Sequence, residues 1–496
     1  MIPQTALVSV YNKVGLEMLC TALNRANVRI ISTGGTAATI SAANIPVTPI
    51  ESITGFSDLM DGRVKTLHTS IYAGLLARRE TADMDLLKAE NILPIDMVVC
   101  NFYPLERGIE HMDIGGPCMV RAAAKNWQNV IVVTHPNQYE EIQAKLSAGI
   151  DAETRKRYAA SALRYTAYYD AVLASESDST KFPSLLTLPF RKSSILRYGE
   201  NPHQDGAFYI DDLTEPCISS AEKLQGKDIS YNNFLDANGA IECIKEFSEP
   251  TIVIMKHATP SGIATDSDLI PAWNHALATD EYSPYGGVVA VNRKVSVELA
   301  EKMTKIFLEV IIAPDFSPQA RSILGEKKNL RLLQLPGIES EKRQPSLEFR
   351  SVSGGLLLQD RDNKPIDTGK WRVVTDCIPS KSDLQSMEFA VKCVKHIKSN
   401  AVVFVKDTHT VAIGGGQTSR VDASWIAVHK GSDNIPGSIM GSDAFFPFRD
   451  AVDVAAKAGI RAIIQPGGSI RDEEVIRAAN EHNISMVFSG RRYFLH

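Results

Sequence analysis

ALVSVYNKVGLEMLCTALNRANVRIISTGGT, residues 6–36, alternates two kinds of apolar pattern within one short stretch. Ala6–Val10 reads as a strand. Leu16, Leu19, Cys20 and Leu23 then recur at i, i+3, i+4 and i+7, which places all four on one face of a helix. Val28–Ile31 is a second short apolar strand, and Ser32–Thr36 (STGGT) follows it before another helical run. Working outward, continuous apolar runs return at Met97–Cys100 and Val130–Val133. Strands with one wet face alternate apolar and polar residues, whereas strands covered on both faces do not. The pattern predicts an α/β fold, a parallel sheet with helices on each side.

The chain has 496 residues, 44% of them hydrophobic and 22% charged, close to ordinary globular usage. That excludes a collagen-like, coiled-coil or disordered protein, and at about 150 residues per domain it suggests roughly three. The balance of 53 basic and 58 acidic residues gives a net charge of −5. It lacks the basic excess of a nucleic-acid binder. Seven cysteines are present with no C-x-x-C pair, so reduced thiols are expected rather than a disulfide framework or a cysteine zinc site. No apolar run approaches the ~20 residues of a membrane span, and the N-terminus begins at once as a strand. The expectation is a cytoplasmic protein with neither membrane nor nucleic acid as partner.

SESDST (Ser175–Thr180) followed by FPSLLTLPF (Phe182–Phe190) is the best linker signal, which sets a domain boundary near residue 185. Beyond it the text hints at a repeat. Lys256 ends one apolar strand in TIVIMKH, and Lys406 ends another in AVVFVKD. Pro314 and Pro466, closing EVIIAP and RAIIQP, follow those lysines by 58 and 60 residues. The spacing predicts two sibling α/β subdomains that meet near residue 375.

STGGT between a strand and a helix suits phosphate, because glycine backbone amides approach closely and the helix N-terminus adds favourable charge. The plain alternative is a tight turn with Thr36 as helix cap. DGRVKTLH (Asp61–His68) gathers Arg63, Lys65, Thr66 and His68. In MDIGGPCMVRAAAKN (Met112–Asn126), Asp113 precedes Arg121 and Lys125, which share a helix face. Lys256–His257 pairs a base of suitable pKa with a cation able to stabilise a developing anion. Phe445, Phe446 and Phe448 have core as their ordinary role. None of the eleven histidines begins a His-x-Glu, which speaks against a zinc deaminase site.

STGGT, GRVKTLH, DIGGP with RAAAKN, RYGENPHQ (Arg197–Gln204), SGGLLLQDRD (Ser353–Asp362) and SDAFFPFRD (Ser442–Asp450), in this order, resemble the bifunctional purine-biosynthesis family that fuses IMP cyclohydrolase to AICAR formyltransferase. The likeness runs from SVYNK at Ser9 to GRRYFLH at the C-terminus. It implies an α/β protein with a methylglyoxal synthase-like parallel sandwich at 1–185. Two cytidine deaminase-like subdomains without zinc, 186–375 and 376–496, would follow. It also implies a homodimer and 10-formyltetrahydrofolate as co-substrate, with no metal required for catalysis. By motif, Lys65, Tyr103, Asp113 and Lys125 belong to the cyclohydrolase site. Ser32, Thr33, Gly34, Gly35 and Thr36 would hold the substrate phosphate, with Arg63 and Thr66 nearby. Lys256, His257 and Asn400 would be catalytic in the other site, Arg197 and Tyr198 would hold AICAR, and Arg492 its phosphate. Phe445 and Asp450 would lie beside the folate.

The sequence departs from the family pattern at Thr259 and Ser261 (Asn and Cys are usual), at Tyr285 (Phe) and at Asn12 (Asp). The loop between NFYP and MDIGG is also short. Two rival readings fit parts of the text: a cyclohydrolase whose second region is a nucleotide-binding relic or prefers another formyl donor, and a non-enzymic nucleotide sensor built on STGGT.

Overall fold

The apolar runs of the first region become β1 (Thr5–Val10), β2 (Arg29–Ser32), β3 (Thr48–Pro49), β4 (Met97–Asn101) and β5 (Ile131–Val133) in a computed structural model of the chain. The structure describes residues 1–56, 64–104, 108–211, 215–340 and 343–496. These fall into two compact units, Met1–Arg191 and Lys192–His496. In the first unit the five strands lie in the order β3-β2-β1-β4-β5, and every neighbouring pair is parallel. Alternate residues of β1 serve different cores. Ala6, Val8 and Val10 pack with Leu16, Leu19, Cys20 and Leu23 of the helix Leu16–Arg25, while Leu7 packs on the opposite face with Ile71 and Val120. Both faces are covered, which is why the strands read as unbroken apolar runs.

The expected linker starts later than its composition suggests. Ser175–Ser177 are still helical, the last residues of the helix Ala152–Ser177. The Ser175 and Ser177 hydroxyls donate back to the carbonyls of Ala171 and Leu173, at 2.9 and 2.6 Å. Serine bonds made four residues back let a polar run finish a helix instead of breaking it.

In the second unit β6 (Arg191–Leu196) pairs with β7 (Gly206–Ile210). The main strands are β8 (Glu222–Gln225), β9 (Thr251–Lys256), β10 (Thr259–Thr265), β11 (Gly287–Val291), β12 (Leu308–Ala313) and β13 (Arg331–Gln334). A hairpin of β14 (Leu347–Val352) and β15 (Gly355–Asp360) intervenes. Then come β16 (Arg372–Val373), β17 (Val402–Lys406), β18 (His409–Gly414), β19 (Ile439–Ser442), β20 (Ala462–Gln465) and β21 (Ser485–Phe488). Twelve of these form one sheet, ordered β16-β21-β20-β19-β17-β18-β10-β9-β11-β12-β13-β8.

Read outward from its centre, that order is the same in both directions. β10-β9-β11-β12-β13-β8 mirrors β18-β17-β19-β20-β21-β16, and the alternation of antiparallel and parallel pairs matches on the two sides. The two lysines of the repeat signal thus end equivalent strands of a duplicated half. The helices Tyr231–Ile244 and Lys381–Val394 are also equivalents. Each is capped by a serine, Ser230 or Ser380, whose side chain accepts from the third helical amide. Their apolar faces meet in one core that contains Ile241 and Cys243 from one half and Met387 and Cys393 from the other. On the opposite face each half keeps its own core. Among the described residues no helix is long and apolar enough to cross a membrane.

Candidate active sites

In the first unit the polar motifs collect beyond the carboxyl ends of β1, β2 and β4, where parallel sheets present ligands. The helix Gly34–Ala42 starts inside STGGT, with Thr33 rather than Thr36 at its cap position. Ser32 donates to the Val8 carbonyl at 2.7 Å, and Thr36 both donates to and accepts from the Val10 backbone. Their side chains tie the loop to β1. The loop therefore offers a ligand the Gly34 and Gly35 amides at the helix start and the Thr33 hydroxyl, which lies 2.9 Å from that of Ser9. Lys65 comes to the same place: its Nζ lies 3.1 Å from where a Cβ on Gly34 would stand. A side chain at Gly34, where φ is +32°, would crowd that ammonium.

Thr66 is buried against the DIGG turn, its Oγ1 only 2.4 Å from the Cβ that Gly115 lacks. Asp113 accepts from the Gly116 amide at 2.7 Å, and its own amide donates to the Tyr169 hydroxyl at 2.9 Å. Burial pushes the Asp113 carboxyl above the usual range, opposed by the Gly116 and Tyr103 amides. A carboxyl so placed suits proton transfer. Tyr103 is half exposed just beyond β4, its ring edge-on to Tyr11 at 5.8 Å. Lys125 is different. It is exposed in the last turn of the helix Gly115–Lys125, about 15 Å along the axis from Gly115. Arg63 lies outside the described residues.

In the second unit β9 and β10 are joined by a two-residue loop, with Lys256 paired to Thr259. The loop residues His257 and Ala258 both have φ of 53°. Lys256 Nζ donates to the Tyr285 carbonyl of SPYGG at 2.8 Å and approaches the missing Cβ of Gly286 within 3.1 Å. It lines a cavity of about 250 Å³ together with Thr259, Ser261, Asp280, Gln417 and Lys430. Two of the departures from the family pattern, Thr259 and Ser261, therefore face the same space as Lys256. Lys430 and Asp280, one from each half, form an ion pair at 3.0 Å there. His257 is exposed beside the cavity's lysine.

Asn400 precedes β17. Its side-chain amide donates to the Gln417 and Thr418 carbonyls at 2.9 and 3.1 Å, binding it to the loop that supplies Gln417 to the cavity. The C-terminal segment runs alongside, since Ser399 donates its amide to the Leu495 carbonyl. Arg492, three residues earlier, is exposed and stacks on Phe494 at 4.3 Å. Arg197 stands over the Tyr198 ring at 5.6 Å. The turn after them is fastened to the helix Tyr231–Ile244 through Asn232, which donates to the Glu200 carbonyl at 3.3 Å. The phenylalanines divide: Phe446 is fully buried, whereas Phe445 and Phe448 are at the surface, Phe448 under the Arg471 guanidinium. Asp450 is exposed at the start of the helix Asp450–Lys457 and accepts from the Ala451 amide.

Three residues that organise the second unit were not singled out by pattern. Asp443, fully buried, accepts from Arg420 at 2.6 Å and from the Ser399 hydroxyl at 2.5 Å. Arg420 also donates to the Phe445 carbonyl at 2.9 Å, so this cluster sets the strand ends that carry Asn400 and Phe445. Asp236 accepts from the Ala258 amide at 2.6 Å. The available signal was an acid embedded in apolar text, as in SDAFF, because burying a carboxylate is costly unless it is paired. Among the described residues no three His, Cys, Asp or Glu side chains converge as a metal site.

Two family models match. One, described as AICARFT/IMPCHase bienzyme, covers residues 123–430, and an MGS-like domain covers residues 15–138. Among curated proteins, the bifunctional purine biosynthesis protein PurH of Magnetococcus marinus is 46% identical over 531 residues, with 99% of each chain covered. The protein of that name from Acetivibrio thermocellus is 44% identical over 510 residues, and that from Listeria monocytogenes 46% over 509, again with 99% of each chain covered.

Proposed function

The chain belongs to the family of bifunctional purine biosynthesis proteins, and from that premise we propose how its two units divide the work. It is an AICAR formyltransferase and IMP cyclohydrolase, and formyl transfer implies a folate formyl donor. We take the donor to be 10-formyltetrahydrofolate, and residues 1–185, within the first unit, to be the cyclohydrolase. The second would comprise two cytidine deaminase-like subdomains, 186–375 and 376–496, a reading supported by the mirrored strand order. The assembly we propose is a cytoplasmic homodimer.

In transfer, the 5-amino nitrogen of AICAR attacks the formyl carbon. The bond from that carbon to the folate nitrogen breaks, that nitrogen gains a proton as it leaves, and the attacking amine loses one. The amine is a weak nucleophile because its lone pair is shared with the ring and carboxamide, so a base and a stabilised oxyanion are needed. His257 takes the proton and Lys256 faces the developing negative charge. Asn400 orients the reactants at the cavity. Arg197, Tyr198 and Arg492 hold AICAR, and Phe445 and Asp450 flank the folate.

In closure, the carboxamide nitrogen of FAICAR attacks its own formyl carbon and water leaves, giving IMP. The attack is intramolecular, so the site has only to fold the substrate and handle charge. The STGGT amides and Thr33 hold the phosphate, with Ser32, Thr36, Arg63 and Thr66 around it. Lys65 and Lys125 stabilise the oxyanion, and Asp113 and Tyr103 serve proton transfer.

The observation that carries this division is the Lys65 ammonium at the Gly34 loop, a cation on a phosphate-type helix start within the first unit. Lys65→Ala should slow cyclisation of supplied FAICAR by about 10²–10³ while transfer to AICAR continues. Loss of transfer with cyclisation intact would reverse the assignment.

A further inference from the structure

We propose that Asp236 is the positioning residue of the formyltransferase site: its carboxylate holds the His257–Ala258 turn and so fixes where the His257 imidazole stands relative to Lys256. The inference rests on the reading of His257 as the base.

The turn is unsuited to its own sequence. A two-residue loop with both residues at positive φ is the tight hairpin turn that favours Asn-Gly or Asp-Gly. Here the pair is His257–Ala258, and both stand at 53°. Left-handed backbone is unfavourable for a residue with a Cβ; Asn, Asp and His adopt it more readily than most, and Ala does not share that tolerance. Ala258 has no polar side chain to offset that cost, so its conformation calls for an outside partner. Asp236 supplies it from the middle of the helix Tyr231–Ile244, accepting from the Ala258 amide at 2.6 Å. The residue is 8% exposed. Burial raises its carboxyl above the usual range, while the Ala258 and His257 amides and the charges of His257 and Lys256 pull it back. A buried acid in a helix interior has few other reasons to be there.

The sibling half provides the control. Its matching turn joins Lys406 to His409 through Asp407 and Thr408. Asp407 alone has positive φ, 49°, and aspartate tolerates that conformation. Ser386 stands 150 residues after Asp236, buried at the same point of the equivalent helix. The carboxylate is present only beneath the half whose turn carries the histidine and cannot hold itself.

The test uses the full-length chain with Asp236→Ala, Asp236→Asn and the double variant Asp236→Ala with Ala258→Gly. Asparagine keeps an oxygen that accepts the turn amides, and glycine lowers the cost of positive φ. Asp236→Ala should lower kcat of transfer by about 10², the cost of an ångström-scale misplacement, with little change in KM for AICAR. Asp236→Asn should retain most of the rate, and the double variant should recover about tenfold over Asp236→Ala. Hydrogen exchange at the Ala258 amide gives a readout independent of activity: slow in the parent and in Asp236→Asn, fast in Asp236→Ala. Wild-type kcat in Asp236→Ala, equal defects in Asp236→Ala and Asp236→Asn, or a still-protected Ala258 amide would each overturn the proposal. If Asp236→Ala does not fold, Asp236→Asn and the double variant decide between the same outcomes. Transfer that survives His257→Ala would instead remove the reading of the base, leaving the exchange result to stand alone.

Discussion

The two halves of the second unit share a scaffold and differ at its turns. Each places an apolar strand ending in lysine between the same neighbours, Lys256 in β9 and Lys406 in β17. Each lays a serine-capped helix onto the common core. After the lysine, one half has His257, with Asp236 in its helix, and the other has Asp407, with Ser386 at the equivalent helix position. The second half contributes instead the Asn400 amide and the Arg420–Asp443 pair. The two halves keep alike what the sheet requires and differ in the residues of the turns. Fold and chemistry are carried by different residues, so symmetry of the fold predicts no symmetry of the site.

The strongest way to break this comparison is to exchange the turns' roles. His257→Ala should lower formyl transfer by about 10²–10⁴, the usual contribution of a general base, with FAICAR cyclisation as the internal control. Asp407→Asn, at the equivalent turn, should leave the transfer rate within about twofold, as exposed substitutions away from special contacts do. Similar losses in both variants would mean that the halves are functionally alike.

Both halves also press a strand glycine against a helix. A Cβ at Gly262 would lie 1.9 Å from the Ala276 carbonyl oxygen, and one at Gly414 would lie 2.0 Å from that of Ala423. Gly262→Ala and Gly414→Ala should each cost about 1–3 kcal/mol of stability, read as a lowered urea midpoint at unchanged slope. Because the two halves share a core, either change should lower a single common transition; two separate transitions would show that the halves unfold independently.

The smallest expected effect is a pH dependence at the junction. His409 in β18 stacks on His275 at 4.4 Å, whereas the equivalent position in β10 is Thr259. Burial, then the His275 charge, holds the His409 pKa at about 4, below its ordinary 6.5, against the opposing pull of Asp407 and Asp266. The unfolded chain then takes up the proton first. Stability is full above pH 6.5 and falls as pH drops toward 4. His409→Phe should flatten that part of the urea midpoint against pH. An unchanged slope would assign the acid sensitivity to other groups.

Much of the architecture was legible because its cause is local. Covered strands are unbroken apolar runs, as Met97–Cys100 is, and a helix face repeats at 3 and 4, as Leu16 to Leu23 do. The weak echo of Lys256 in Lys406 was enough to indicate sibling halves. The phenylalanines of SDAFFPFRD were not separable in this way, because Phe445 and Phe446 differ only in which side of one short segment meets the core. The start of the linker was hidden for a related reason: Ser175 and Ser177 have loop composition but bond to their own helix.

What the amino-acid sequence determined by itself was the α/β class, the order of motifs, the family they resemble and the residue types that each chemistry needs. Tertiary structure alone decided which of those residues act together. It brought Lys65 to Gly34, set Thr66 against Gly115, left Lys125 at the far end of its helix, and slid Asp236 beneath a turn more than 20 residues away. Periodicity records which face of an element is buried, because burial recurs along the element. A hydrogen bond between two single residues recurs nowhere, and only the packed chain specifies it.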